Sequence, residues 1–263
     1  MSASPTFRET PRDLPVHEDE SAFLRCVTTR TPCVMRGLAR RWPAVERWTF
    51  ASLSDHAGDD EVDVAELEGR RLAVDARAGV RLRRDSFGSV LGKLSRGDDA
   101  SYVMTRLEPL RGLHDDLRPP EAWSRARFRS SKLWVSPAGA VSPLHFDVSE
   151  NIHVQITGRK RFILVPTRDT RGVYPSAPWS STPNFSRVDL SAPDFRRFPR
   201  LAGVKRWQSE LSPGDAVFIP GLVWHHVTTL EPSISVNYWW SRGLLSLAAR
   251  GADAFKRLRA ISR

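Results

Sequence analysis

The chain has only two cysteines in 263 residues, Cys26 and Cys33, too few for a disulfide framework. That scarcity points to a reducing, cytoplasmic setting. No apolar run approaches the roughly 18 residues a bilayer-spanning helix needs, so no membrane role is expected. The N-terminal stretch MSASPTFRETPRDLP lacks an apolar core and does not read as a signal peptide. No internal repeat and no domain linker interrupts the chain. Lysine is scarce too: of forty basic residues, five are Lys and thirty-five Arg. The remaining composition, 40% hydrophobic and 27% charged, is that of an ordinary globule able to bury a sizeable core. A net charge of +10 would suit nucleic acid, an anionic membrane or an acidic substrate. The arginines are scattered rather than blocked, and a bias in nucleotide composition explains the same charge without a partner.

Residues 1–14 read as a disordered or loosely docked arm, and 15–263 as one domain. Asp19–Thr28 reads as a short helix, Thr31–Gly37 as a strand closed by Gly, Phe50–His56 as a helix and Glu61–Ala65 as a strand. Asp85 is placed to cap a helix through Val90, Leu91 and Leu94 to Gly97. Ser101–Leu107 is a strand and Pro109–Pro120 irregular. From Lys132 onward, short strands alternate with turn residues: Lys132–Ser136, His145–Asp147, Asn151–Ile156, Lys160–Pro166, Gln208–Leu211, Ala216–Ile219, His226–Leu230 and Ser233–Trp240. That spacing predicts an all-β sandwich or barrel. Thr167–Arg206 is a long, strand-poor excursion rich in Pro, Ser and Arg, of the kind that is functional or disordered. The tail Arg242–Arg263 has an apolar stripe, Leu244 to Leu258, that predicts an amphipathic helix over 242–260. Such a helix would dock on its own barrel or support a homodimer.

The stretch Ser142–Lys160, SPLHFDVSENIHVQITGRK, carries the chemistry. Along a strand, residues i and i+2 share a face, so His145 and Asp147 would point together. An imidazole beside a carboxylate is two thirds of a 2-His-1-carboxylate triad. Seven His and eighteen Asp in 263 residues give roughly half a chance occurrence of His-x-Asp, and the chain has three. Those at His17 and His114 lie among charges and prolines and read as solvated loops. Only the one at His145 lies between β-favouring runs. The third ligand would be His225, in the run Ile219–Val227. Adjacent strand residues face opposite ways, so only one of His225 and His226 can enter a barrel.

Thr157-Gly158-Arg159 can turn the chain so that the Lys160 strand runs back beside its predecessor. An ammonium group would then lie near the metal but outside its ligand shell. A five-carbon diacid such as 2-oxoglutarate needs such a cation for the carboxylate that does not chelate. By spacing alone, Lys160 reads equally well as an exposed residue at a strand start.

At these residues the chain resembles the JmjC or cupin-like Fe(II)/2-oxoglutarate oxygenases. Within them it most resembles the asparaginyl hydroxylase that inhibits hypoxia-inducible factor and related protein and tRNA hydroxylases. The resemblance runs from about Thr31 to Trp240. It rests on Pro32–Pro43, on the His145 motif with Lys160, and on PGDAVFIPGLVWHHV followed by Ser235–Trp240. It implies a double-stranded β-helix with flanking N- and C-terminal helices. It implies Fe(II) held by His145, Asp147 and His225, with 2-oxoglutarate on Lys160 and surrounded by Tyr102, Asn151, Ser142 and Asn237. Trp134, Trp224, Trp239 and Trp240 would wall the site or belong to the core. The implied reaction consumes O2 and hydroxylates a substrate C–H bond. A protein or peptide side chain leads as substrate, with a small metabolite and a tRNA base as alternatives. The positions facing the substrate depart from the asparaginyl hydroxylase, so its substrate does not carry over. The rival from another class is a non-catalytic metal-binding cupin module, which would not need Lys160, Asn151 and Asn237 beside the triad.

Overall fold

The computed structural model describes residues 6–75, 79–120 and 128–241. The expected tail helix over 242–260 lies outside them. The first half supplies β1 (Arg12–Asp13), β2 (Val16–His17), α1 (Glu20–Thr29), β3 (Cys33–Met35), α2 (Pro43–Arg47), α3 (Phe50–Ala57) and β4 (Glu61–Glu68). It continues with β5 (Arg71–Leu72), β6 (Val74–Asp75), β7 (Gly79–Val80), β8 (Leu82–Ser86), α4 (Phe87–Ser95) and β9 (Ser101–Arg106). The second half is nearly all strand: β10 (Phe128–Ser136), β11 (Val141–Phe146), β12 (Glu150–Thr157), β13 (Lys160–Val165), β14 (Trp207–Leu211), β15 (Ala216–Ile219), β16 (Trp224–Thr229) and β17 (Ser233–Trp240).

Pairing resolves the second half into two sheets, β14-β13-β16-β11 and β10-β17-β12-β15. β9 extends the second sheet beyond β10, and β3 and β2 extend it beyond β15. From β10 to β17 the chain passes repeatedly between the two sheets. That is the double-stranded β-helix expected from the repeated short strands. The step from β12 to β13 departs from expectation, because β13 does not run back beside β12. β12 pairs with β15 and β17, whereas β13 pairs with β14 and β16 in the other sheet. Gly158 makes the change of sheet possible. It sits at φ +65°, and a Cβ there would lie 2.2 Å from the Pro232 carbonyl oxygen.

Alternation along the strands decides what faces inward. In β12, Ile152, Val154 and Ile156 pack outward into a large apolar cluster with Phe23, Leu53, Phe87 and Leu91 of the N-terminal helices. The intervening Asn151, His153 and Gln155 are buried on the opposite face. The helices thus cover the outside of the second sheet, which leaves its polar residues turned into the barrel. Farther inside, Phe162, Leu164, Val217 and Ile219 close the barrel as a second cluster.

One local expectation is corrected. Ser86, not Asp85, caps α4: its side chain accepts from the Ser89 N–H, while Asp85 pairs with Arg83 and Lys93. Residues 6–14 lie along the barrel, with β1 parallel to β14 and Leu14 buried in the inner cluster. The excursion is packed onto the barrel. Val173, Val188, Phe198 and Leu201 form a third cluster with Leu144 and Trp224 on the outer face of the first sheet.

Candidate metal and cosubstrate site

β11 and β16 pair antiparallel with His145 opposite His225, after a register shift between Ser142 and His145. This brings the two imidazole centroids to 4.2 Å. β11 ends at Phe146, so Asp147 sits in the loop that follows rather than on the strand. It still reaches the pair: His225 Nε2 lies 3.8 Å from Asp147 Oδ2. The donor atoms of His145, Asp147 and His225 all fall within 4.8 Å of one another. His226 points the other way, toward Arg71 and Asp189, as strand alternation requires.

The hydrogen bonds around the group suit a cation. His145 Nδ1 lies 2.7 Å from the Pro143 carbonyl, and His225 Nδ1 lies 3.1 Å from the Val223 carbonyl. A carbonyl oxygen only accepts, so each Nδ1 carries the proton and each Nε2 keeps a free lone pair. That is the tautomer a metal ligand needs. Burial holds His225 neutral, with its pKa lowered to about 4. Burial alone would raise the Asp147 carboxyl, but His225, His145, the Trp239 N–H and Lys132 outweigh it and hold the group below its usual range. Trp239 Nε1–H donates to Asp147 Oδ2 at 2.9 Å and fixes the carboxylate's rotation. The backbone fastens the same loop: Leu222 N–H donates to the Asp147 carbonyl at 2.7 Å. Gly221 N–H donates to Glu150 Oε2 at 3.1 Å, and Arg30 Nε pairs with Glu150 Oε1 at 2.9 Å.

Lys160 lies in the same cavity, a space of about 900 Å³ that also takes in Tyr102, Ser142, Asn151, Asn237 and the His145 group. It is only 1% exposed, because β13 sends Lys160, Phe162 and Leu164 to one face. Nζ donates to Ser235 Oγ at 3.0 Å and Tyr102 Oη at 3.3 Å. Among the described residues, no carboxylate lies within ion-pair reach of it. Burial lowers its pKa to about 7. Burial also pushes Tyr102 up to about 12, so its hydroxyl stays protonated.

All eight residues singled out in the sequence therefore line one cavity. Others there were not singled out. Asn237 Nδ2 donates to Asn151 Oδ1 at 2.7 Å, and Asn237 Oδ1 meets His153 Nδ1 at 2.7 Å. His153 Nε2 in turn meets Gln155 Oε1 at 3.2 Å. Burial and the charge of Lys160 drive His153 down to about 3, so it is neutral. The signal for His153, Gln155 and Ser235 was present as polar residues alternating with apolar ones in NIHVQI and SISVN. From the excursion, Phe185 stacks on His145 at 5.1 Å, and Asn184 exchanges hydrogen bonds with the Phe146 backbone. Of the four tryptophans, Trp134 and Trp239 line the cavity. Trp224 and Trp240 belong to the apolar clusters.

The model of the cupin-like domain matches residues 20–244. The chain belongs to the cupin-like domain family. Among curated proteins, this cupin-like chain is 32% identical to lysine-specific demethylase 8 of Xenopus tropicalis over 80% of its length and 48% of the relative's. It is 30% identical to Jumonji C domain-containing protein 5 of Drosophila melanogaster, over 82% of this chain and 56% of that one. It is 32% identical to tRNA wybutosine-synthesizing protein 5 of Gallus gallus, over 83% and 73% respectively. The chain spans about half the length of the first two relatives.

Proposed function

We propose that the chain is an Fe(II)- and 2-oxoglutarate-dependent dioxygenase that hydroxylates a C–H bond, with a protein or peptide side chain as substrate. The observation that carries this is Lys160: a buried ammonium with two hydroxyl partners, in the cavity that also holds the His145–Asp147–His225 group. A fold tolerates a buried charge lacking a counter-ion when a ligand supplies one. A metal-binding module without catalysis has no use for it.

His145, Asp147 and His225 would hold the iron through two Nε2 lone pairs and one carboxylate. With Fe(II) bound there, O2 would be the oxidant and 2-oxoglutarate the co-reductant, giving succinate and CO2 with one oxygen atom in the succinate and the other in the hydroxylated substrate. The protein's residues position the reactants and balance charge. One carboxylate against a dication leaves a positive centre for the chelating end of 2-oxoglutarate. The Lys160 ammonium meets the far carboxylate, and the filled site is electroneutral, as burial demands. Asn151 and Asn237, locked by their mutual hydrogen bond, present fixed polar edges beside it. Phe185 on His145 and Trp239 on Asp147 restrict water at the ligands.

The relative named as a lysine-specific demethylase supports the protein substrate. A tRNA base stays as the second reading because of the relative named for wybutosine synthesis and the arginine-rich excursion. There, Arg187 and Arg200 flank Tyr174, and Trp179 is 81% exposed. Reduced cysteines favour the cytoplasm, and among the described residues no helix is long and apolar enough to cross a membrane. A homodimer through the tail is tested by sedimentation of the full chain against one ending at Ser241. The main reading is tested by iron-dependent succinate release across pools of peptides, tRNA and metabolites. Stimulation by peptides is expected, and no release with any pool or with 2-oxoglutarate alone refutes an oxygenase.

A further inference from the structure

The two cysteines of the chain lie together on the helix-covered face of the second sheet. β3 sends Val34 into the inner cluster and Cys33 and Met35 to the outer one. β2 runs parallel to β3 with His17 level with Met35. α1 packs over this face through Phe23 and Val27 and brings Cys26 to the same place. Cys26 Sγ lies 3.3 Å from His17 Nε2, and the donor atoms of His17, Cys26 and Cys33 all fall within 4.8 Å of one another. Cys33 is fully buried, while His17 and Cys26 are half-buried. Among the described residues, this group and the His145 group are the two places where three such donors converge. The His17 motif, expected to be a solvated loop, is therefore part of a built cluster.

The donor set is two sulfurs and an imidazole nitrogen with no oxygen. Thiolates and imidazole suit Zn(II) or Cu(I). With Zn–S near 2.3 Å and Zn–N near 2.0 Å, tetrahedral donors stand about 3.5–3.8 Å apart, which a cluster of this span reaches with small rotations. Charge separates the two metals. Two thiolates cancel a dication and leave a neutral site, whereas a monocation would leave a buried negative charge. Without metal, burial and the adjacent Cys26 push the Cys33 thiol up. A bound dication reverses that preference.

We propose that His17, Cys26 and Cys33 bind one Zn(II), with the fourth position open to water on the half-exposed side, and that the ion fastens β2 and α1 to β3. The three ligands fall within residues 17–33, so the site closes locally. α1 ends at Arg30, whose guanidinium pairs with Glu150 and donates to the Gly221 carbonyl. A tie on α1 therefore extends to the loop that carries Asp147.

Cobalt titration of the reduced full-length chain under argon tests this. A sulfur-to-cobalt charge-transfer band can arise only here, because the His145 group contains no sulfur. The band should saturate at one equivalent in a chain carrying His225→Ala, bleach on adding one equivalent of Zn(II), and fall to half or less with Cys26→Ser. No band in a chain whose two thiols are shown to be reduced overturns the site, as does a band unchanged by Cys26→Ser. Should Cys26→Ser fold poorly, His17→Ala keeps both sulfurs and decides the matter. Cobalt affinity should drop at least about tenfold, as it does when a metal's ligand environment is broken, and an unchanged affinity refutes the three-ligand site. Zn(II) should also raise the melting temperature of the His225→Ala chain and not that of a chain carrying both His225→Ala and His17→Ala.

Discussion

Replacing Lys160 by Met separates the two consequences of burying an ammonium group, because they have opposite signs. Without 2-oxoglutarate, the folded chain must hold Lys160 in a space where its pKa falls from 10.5 to about 7. That shift corresponds to a folding cost on the order of 5 kcal/mol at pH values where both folded and unfolded chains are protonated. The unfolded chain binds the extra proton between pH 7 and 10.5, so wild-type stability rises with pH across that window. The Met variant lacks this slope. Met forfeits the bonds to Ser235 and Tyr102, at about 1–3 kcal/mol for a hydroxyl left unsatisfied. Tyr102 has Ser142 and Ser136 as other partners, so that loss is confined mainly to Ser235. The balance at pH 6 is a gain of about 2–4 kcal/mol, or a melting temperature higher by roughly 5–10 °C for a chain of this size. The gap should narrow as pH rises toward 10.

The same substitution should damage cosubstrate binding. A carboxylate buried without its partner costs about 3–5 kcal/mol, which is roughly a 10²- to 10³-fold loss of affinity or more. Calorimetry with Mn(II) in place of iron measures this without turnover, and melting curves at pH 6 and 9 measure the stability. A variant that binds 2-oxoglutarate normally refutes the assignment of Lys160. A variant that melts lower at pH 6 refutes the argument that the ammonium strains the empty fold.

Three further outcomes are expected. Because Lys160 is largely neutral above pH 7 when the site is empty but protonated beside a carboxylate, 2-oxoglutarate binding at pH 8 should take up close to one proton. Titrations in buffers of different ionisation enthalpy show this, and zero uptake contradicts it. His225→Ala should abolish iron-dependent turnover while His226→Ala retains most of it, since only His225 faces the Asp147 carboxylate; the reverse result in succinate assays overturns the ligand set. Binding of the true substrate should change little with salt if it is a peptide held by a few polar groups. A fall of roughly a thousandfold or more between 50 and 200 mM salt, as for six or more phosphate contacts, would put tRNA first.

The parts of this site that were legible in the sequence are those where local pattern and chemistry coincide. His145 and Asp147 stood out because a polar pair interrupted a β-favouring run, and Lys160 because a Gly turn preceded an apolar strand. The burial of Lys160 was not legible. The same spacing fits an exposed strand start, and only the crossing at Gly158 into the other sheet turns its side chain inward. The Asn151–His153–Gln155 row was visible in the sequence only as alternation, which does not say which face turns inward. A polar face normally marks the solvent side of a sheet. Here the helices α1, α3 and α4 supply an apolar cover on the outside, so the polar side becomes the interior and the chemistry sits where a small barrel would otherwise keep its core. The Phe185 contact was beyond reach for a related reason. It depends on where a strand-poor segment of forty residues, 167–206, folds back, and that is set by Val173, Val188 and Leu201 finding Leu144 and Trp224 on the outer face of the first sheet. Trp224 therefore packs against the excursion through one residue's side chain while the next residue, His225, faces the cavity. The strand that carries the distal histidine is the same element that anchors the segment forming the cavity wall. A change in the excursion's packing should accordingly be felt at His145 and His225, the proposed metal ligands, as well as at the substrate, which makes this wall a poor candidate for a passive loop.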